Sequence, residues 1–281
     1  MIKSDKRGQL HTKHDPYLWV GLFMTVTALL LAVVGVFWTP YSTTAMSLAE
    51  RFHGPSLKHL FGTDNFGRDI FSRVMKGTAT TILISSLVVV FSAVMGIVIG
   101  ALTGYFGGLL DEIVMRITDA VNGFPSILLA LVMISVLGSG RQNLILSLGI
   151  VFTPSFVRIV RSEFIRLRDA DYISRARLMG VGRFRILFVH ILPNIFSTFW
   201  VSVMIGFNNG ILAESGMSYL GIGVQPPDAS LGRMLSEAQG YLMNAPWYAL
   251  STGLTIVWLV LGFSLLSEGI RRSAGEVSDG N

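Results

Sequence analysis

Arg116 and Asp119 stand one helical turn apart at the edge of a long apolar run. A charged pair inside a membrane span is the arrangement a proton relay uses. Both residues sit close to the end of their run, where long side chains reach water at little cost, so they read as a local ion pair at the interface. Asp64, Arg68, Asp69 and Arg73 form a second charged group, in which an exposed i,i+4 pair such as Asp69–Arg73 adds only a few tenths of a kcal/mol. That is support rather than chemistry. Ser135, Asn208, Asn209 and Ser215 are polar among apolar neighbours, which suits either a path through the protein or hydrogen bonds between packed helices. There is no GxxxxGK[ST] phosphate loop and no Gly-Lys dipeptide, so the chain carries no means of hydrolysing a nucleotide. With no cysteine, it has neither disulfides nor cysteine metal sites. What remains is a concentration of charge: eight arginines between Arg158 and Arg185.

The elements that position these residues are membrane helices. The chain is 51% hydrophobic and 14% charged over 281 residues, with a mean hydropathy of +0.60; soluble domains carry about 25% charged residues. At about 20 apolar residues per crossing, six spans are expected, near 17–38, 81–103, 117–138, 142–157, 186–213 and 246–267. Pro125, Pro154 and Pro193 fall inside three of them. The first run is too long for a signal-peptide core and reads as a retained anchor. Six spans put both termini on one side. With the N-terminus inside, the inner segments hold 15 Lys and Arg and the outer ones 7, which favours cytoplasmic termini. The net charge of +5 is thus an orienting charge. Nucleic-acid binding is not expected, because no basic stretch is interleaved with stacking aromatics.

On this reading the arginine-rich loop 158–185 is cytoplasmic, between the segments 1–16 and 270–281. Asp171, or Asp169 before it, is placed to cap a short helix. Tyr172, Ile173, Ala176 and Met179 share one face of it. Gly180 falls where a helix stop favours positive φ, and Gly182 follows. Two turns of helix are marginal alone in water. The apolar face needs the headgroup layer, the protein itself or a second protein. Outside the membrane, residues 39–80 are expected to hold an amphipathic surface helix, with Asp64 as its cap and Asp69, Ile70, Arg73 and Val74 along it. A further short helix is expected near Leu231–Gln239, in an irregular Gly- and Pro-rich segment. Pro193 should bend the fifth span, with Asn194 re-satisfying a freed carbonyl.

Ser174-Arg175-Ala176, Gly180 and Ile191-Leu192-Pro193 resemble the EAA loop of ABC-transporter permeases, with Ser174 and Arg175 standing where Glu and Ala are usual. FGTDNFGRDIFSRVMKG (Phe61–Gly77), GYFGG and DEIVMRITDAVNGFPSILLAL (within Gly104–Leu131) and ILAESGMSYLGIGVQPPDASLG (Ile211–Gly232) are similar, in order, to blocks of the dipeptide, oligopeptide and nickel permeases, most nearly their C-type subunit. Ala79 departs from the usual Arg. The resemblance implies an all-α, polytopic type I importer permease in the bacterial inner membrane, with a core at 81–269. It implies half of a pathway for peptides or nickel and other metal chelates. Implied partners are a sister permease in a heterodimer, two ABC ATPase subunits that hold ATP and Mg, and an extracytoplasmic binding protein; no cofactor is expected in this chain. Asp171, Tyr172, Ile173, Ser174, Arg175, Ala176, Arg177, Gly180 and Pro193 become the ATPase-coupling set. Gly62, Thr63, Asp64, Gly67, Arg68 and Asp69 form the outer family pattern. An ion-coupled secondary transporter is the alternative, but internal repeats and a coupling-ion site at mid-bilayer are not visible. A bare membrane scaffold would leave the ordered blocks unexplained.

Overall fold

A computed structural model describes residues 16–278, and the regular elements among them are all helical. Lys3, Lys6, Arg7 and Lys13 of the N-terminal segment, and residues 279–281 of the expected tail, lie outside the described residues. In chain order the helices are α1 (Pro16–Phe37), α2 (Ile70–Phe106), α3 (Gly108–Asn122), α4 (Ser126–Leu137), α5 (Arg141–Arg168), α6 (Asp171–Leu178), α7 (Arg183–Arg185), α8 (Phe196–Tyr219), α9 (Leu231–Gln239) and α10 (Pro246–Ser278). Four of them, α1, α2, α5 and α10, are long and apolar enough to cross a bilayer. The bent pairs α3–α4 and α7–α8 raise that to as many as six.

The spine is α2 packed along α5. Gly96, Gly100 and Gly104 recur every fourth residue on α2. A Cβ on them would lie 2.3 Å from Phe156 Cβ, 2.7 Å from the Val157 carbonyl oxygen and 2.7 Å from Phe164 Cβ. Removing the side chain at each turn lets two backbones touch, which is how membrane helices associate without a hydrophobic driving force. The 37 residues of α2 span about 55 Å at 1.5 Å per residue, so its two ends lie on opposite sides of any bilayer.

Several expected boundaries move. The third span is two helices meeting at 92°. Pro125 has no N–H to donate and disfavours helical geometry at Phe124, so α3 stops at Asn122 and α4 starts afresh. Neither piece, at 15 and 12 residues, bridges about 30 Å alone. The fourth span is longer than 142–157: α5 runs through a buried Pro154 to Arg168, so residues 158–168 are helix rather than loop. The fifth bends by 65° between Arg183–Ile195 and Thr198–Tyr219 and ends past Ala213. Glu214 therefore lies inside α8, fully buried, against the expectation of acidic groups only at span edges. Most of 270–281 continues α10 as helix. The helix at Leu231–Gln239 forms as expected, with Ser230 Oγ accepting from the Arg233 N–H (3.3 Å).

The amphipathic surface helix of 39–80 does not exist. A single 3-10 turn, Leu48–Glu50, is followed by irregular backbone, and Asp69, Ile70, Arg73 and Val74 are all buried at the start of α2. Their i,i+4 spacing serves a helix enclosed by its neighbours, not one lying on a surface.

Candidate functional site

Two groups of sequence-predicted residues settle at opposite ends of α2. The first is a hook built by α6. Its N-cap is Ala170, whose methyl group cannot accept a hydrogen bond, so Asp171 is not the cap it was expected to be. Asp171 sits in the first turn, where its negative charge complements the helix dipole, as Arg175 and Arg177 do in the last. Gly180 does stop the helix. At φ +80° its N–H donates to the Arg177 carbonyl (3.0 Å) and the Val181 N–H reaches back to that of Ala176 (3.1 Å), the two bonds of a Schellman closure.

Only Ile173 and Ala176 of the expected apolar face are buried. Ile173, with no exposed surface, joins Ala101, Val160, Phe164, Ile186, Leu187 and Ile191 in one cluster that ties the hook to α2, α5 and the start of the bent span. Tyr172 and Met179 face out, and so do Leu178 (88% exposed), Phe184, Ser174, Arg175 and Arg177. The hook is anchored by two residues and presents the rest. Behind it, a π-helical turn at Ile186–Ile191 and a 3-10 turn at Leu192–Ile195 carry Pro193. Asn194 Nδ2 donates to the carbonyl of His190, four residues before it (2.6 Å), rather than to that of Val189, the i−4 acceptor that Pro193 cannot serve, and lies 3.5 Å from Tyr172 Oη. The bend and the hook thus share a contact.

The second group folds the pattern Gly62–Asp69 into a tight turn. Asp64 caps this turn rather than a helix: Oδ1 accepts from the N–H of Phe66 (2.8 Å) and of Arg68 (3.0 Å). Gly67 has φ +71°, and a Cβ there would lie 1.8 Å from the Ser47 carbonyl oxygen, so only glycine fits. Asp69 is the true cap of α2, its Oδ2 accepting from the Ser72 N–H (2.7 Å) while His59 Nδ1 lies 2.9 Å from Oδ1. His59 Nε2 lies 3.6 Å from Glu50. Arg68 Nε donates to Asp64 Oδ2 (2.6 Å). Glu237 of α9 accepts from Arg68 (3.1 Å), Arg73 (2.9 Å), Arg233 (3.3 Å) and the Tyr248 hydroxyl (3.0 Å). Arg73 is 1% exposed and lies 3.7 Å from Asp64. Glu237 and Tyr248 were missed in the sequence, because nothing local marks Glu237 as a partner for arginines more than 160 positions away, or Tyr248 as a donor to it from the next helix.

The remaining polar expectations divide. Asp119 pairs with Arg158 (2.6 Å) rather than Arg116. Asn209 lines a cavity of about 390 Å³ between α4, α5 and α8, with Ser126, Ser155 and Ser202. Ser135 bonds its own helix and Ser215 lies beside Glu214. Asn208 has a buried oxygen with no partner among the described residues. No cluster of His, Cys, Asp and Glu fit to hold a metal occurs among the described residues.

Residues 96–273 match the family model described as "Binding-protein-dependent transport system inner membrane component". The chain is 37% identical to the dipeptide transport system permease protein DppC of Alkalihalophilus pseudofirmus, over 90% of this chain and 83% of that one. It is 34% identical to DppC of Haemophilus influenzae, covering 90% and 88%. Against the glutathione transport system permease protein GsiD of Pectobacterium atrosepticum it is 37% identical, covering 89% and 83%. Among solved structures it is similar to the methionine ABC transporter MetNI in inward-facing conformations, with a TM-score of 0.59 and 19% identity over 72% of this chain and 95% of that one. At that identity the likeness speaks to fold.

Proposed function

The chain belongs to the binding-protein-dependent transport system inner membrane components, and from that premise we propose that it is a permease subunit of an ATP-driven importer of peptides or peptide-like solutes. The observation that carries this reading is the hook: a helix with two buried anchors whose exposed face is apolar at its tip and basic around it. A surface of that kind invites a protein partner. The partner is an ATPase subunit, since the work of pumping has no source in this sequence; ATP and Mg belong there. The hook and the chain termini then face the cytoplasm, as the distribution of basic residues favours. The buried turn at the far end of α2 faces the extracytoplasmic binding protein.

Movement of the hook enters the bent span through Ile173, Ile186 and Ile191 and through the Tyr172–Asn194 contact. The 65° bend at Pro193 is the place where rotation would be absorbed. The cavity lined by Asn209 supports α4, α5 and α8 as this chain's share of a pathway completed by a sister permease. Peptide cargo is supported by the similarity to dipeptide and glutathione permeases. An ion-coupled carrier is disfavoured by the family match.

The experiment is copurification of ABC ATPase subunits from the native host with Leu178→Asp and Met179→Asp. Both positions are exposed (88% and 77%), so the fold should survive while ATPase capture and substrate-stimulated hydrolysis fall at least tenfold. Undiminished capture with full coupled uptake would remove the hook from the mechanism.

A further inference from the structure

Beside the hook lies a groove of about 520 Å³ walled by Tyr105 and Phe106 at the end of α2, Arg177 of α6, Val181, Arg183 and Ile186. The Arg177 guanidinium stands 5.5 Å from the centre of the Tyr105 ring. Arg177 and Arg183 are exposed, and no carboxylate pairs with either among the described residues. Of the acidic groups at the same end, Asp111 pairs with Arg161 and Asp169 with Arg168, and Asp171, in the first turn of the hook, pairs with neither groove arginine. Arg168 also donates to the Gly104 carbonyl (3.2 Å), closing the last turn of α2 beside the groove. Two positive charges are therefore left facing one space, with an aromatic wall.

The position of that space in the bilayer follows from the sequence. The uncharged run that begins at Gly77 ends at Leu110, four residues past Phe106. On the other wall, Arg183 and Arg185 immediately precede the apolar run that opens at Ile186. Both spans leave the hydrocarbon at this level, where aromatic side chains mark the interface and phosphates lie. Basic pockets between spans at such a level bind anionic headgroups.

We propose that this groove binds the phosphate of an anionic phospholipid, with Arg177 and Arg183 on the phosphate oxygens and Tyr105 and Phe106 against the glycerol and upper acyl chain. Arg177 belongs to the hook, so a bound headgroup would fasten the hook's last turn to the end of α2 and make its position depend on the lipid. The inference stands on the groove alone and does not require the transport reading.

The test uses the full chain in nanodiscs of mixed phosphatidylglycerol and phosphatidylcholine, with retained lipid counted by native mass spectrometry after release into detergent. Wild type should keep phosphatidylglycerol selectively. R177Q/R183Q should weaken its retention about 25-fold, from about fivefold, or ~1 kcal/mol, for each arginine at an anionic surface. R177K/R183K should keep most of it, and R175Q, on the same helix but outside the groove, should retain as much phosphatidylglycerol as wild type. If the double variant fails to fold, R183Q alone carries the test with its fivefold loss. Equal retention of the two lipids, or full retention by the variants, overturns the proposal. Displacement of phosphatidylglycerol by millimolar inorganic phosphate would make this a site for soluble anions and overturn it too. So would unchanged lipid retention combined with lost ATPase capture, which assigns the arginines to a protein partner; loss of lipid with ATPase capture intact separates this site from the docking tip.

Discussion

The two ends of α2 solve opposite problems with the same residue type. At one end Arg68, Arg73 and Arg233 converge on Asp64 and Glu237, beside α9 and α10, and each has a carboxylate partner, four residues away for Arg68–Asp64 and Arg233–Glu237 and more than 160 positions away for Arg68 and Arg73 with Glu237. At the other, Arg175, Arg177 and Arg183 have no carboxylate among the described residues, and the helix that carries two of them is eight residues long with two anchors. Matched and buried arginine fixes geometry; unmatched and exposed arginine waits for something else. A transporter needs both kinds: a rigid end that holds the helices in register and a compliant end that can be gripped and moved.

The contrast breaks first, and most severely, at Arg73. Arg73→Met keeps the bulk of the side chain but removes its charge from between the buried Asp64 and the partly buried Glu237 carboxylates. Breaking a buried pair from one side costs about 3–5 kcal/mol. The low end is expected, because Arg68 still reaches both Asp64 and Glu237. Thermal unfolding of the purified chain would show it, and a loss below about 1 kcal/mol would mean the network is scenery rather than structure.

Next in size is Ile173→Ala, which empties the main anchor of the hook. Large-to-small changes at a fully buried isoleucine cost about 2–5 kcal/mol. Here the cavity opens where a short helix meets the bundle, so the hook should loosen before the bundle melts. Hydrogen exchange should rise across α6 and stay unchanged at α9 if the two ends are independent. Equal rises at both would show one rigid body and undo the comparison.

How much of this was legible beforehand depends on how far apart the partners lie. The hook's start, its stop and its departures from the family pattern were local features. Gly180 had to adopt positive φ, and it does. Ala176, retained from the pattern, is buried, whereas Ser174 and Arg175, the two departures, are exposed. The replacements change the exposed surface of the hook and leave its buried anchors alone. Tyr172 and Met179 misled because helical periodicity marks an apolar face without saying whether the chain itself covers it. The other end was harder. Spacing at i,i+4 made Asp69 and Arg73 look like a surface pair, while the actual partners are Glu237, Asp64 and His59, two of them in loops without periodicity. The bends show the same limit. Pro125, Pro154 and Pro193 were equally visible, yet α5 runs straight through Pro154 because its buried face is held along α2.

A smaller perturbation sharpens the account of the hook. At Gly180 a Cβ would meet nothing within 4 Å, so Gly180→Ala adds only the strain of φ +80°. Left-handed backbone costs a non-glycine residue about 1–2 kcal/mol, and the helix has only two turns to absorb it. Melting of the whole chain should hardly change, while ATPase coupling falls several-fold because the last turn, with Leu178 and Met179, loses its fixed direction. If Gly180→Asn, which tolerates this conformation better, restores coupling, the cause is backbone geometry rather than contact.

The smallest effect belongs to the one exposed pair at the matched end, Glu50 with Lys58. The hydrogen bond from Lys58 Nζ, followed by its charge, holds the Glu50 carboxyl below its usual value, and the same bond raises the Lys58 ammonium above its own. A carboxyl lowered by folding contributes stability above its unfolded value, near pH 4.3, and loses it as pH falls through the lower folded value. A raised ammonium contributes below about pH 10.4 and loses it as pH rises further. The pair is therefore intact across the neutral range, where both contributions are present and salt screens them. Melting temperature followed against pH should show wild type falling slightly faster than Glu50→Gln at the acid edge and matching it near neutrality apart from a small constant offset. Parallel curves throughout would mean that exposed charge adds nothing even where the buried network beside it is complete, confining the rigidity of that end to Asp64, Arg68, Arg73 and Glu237.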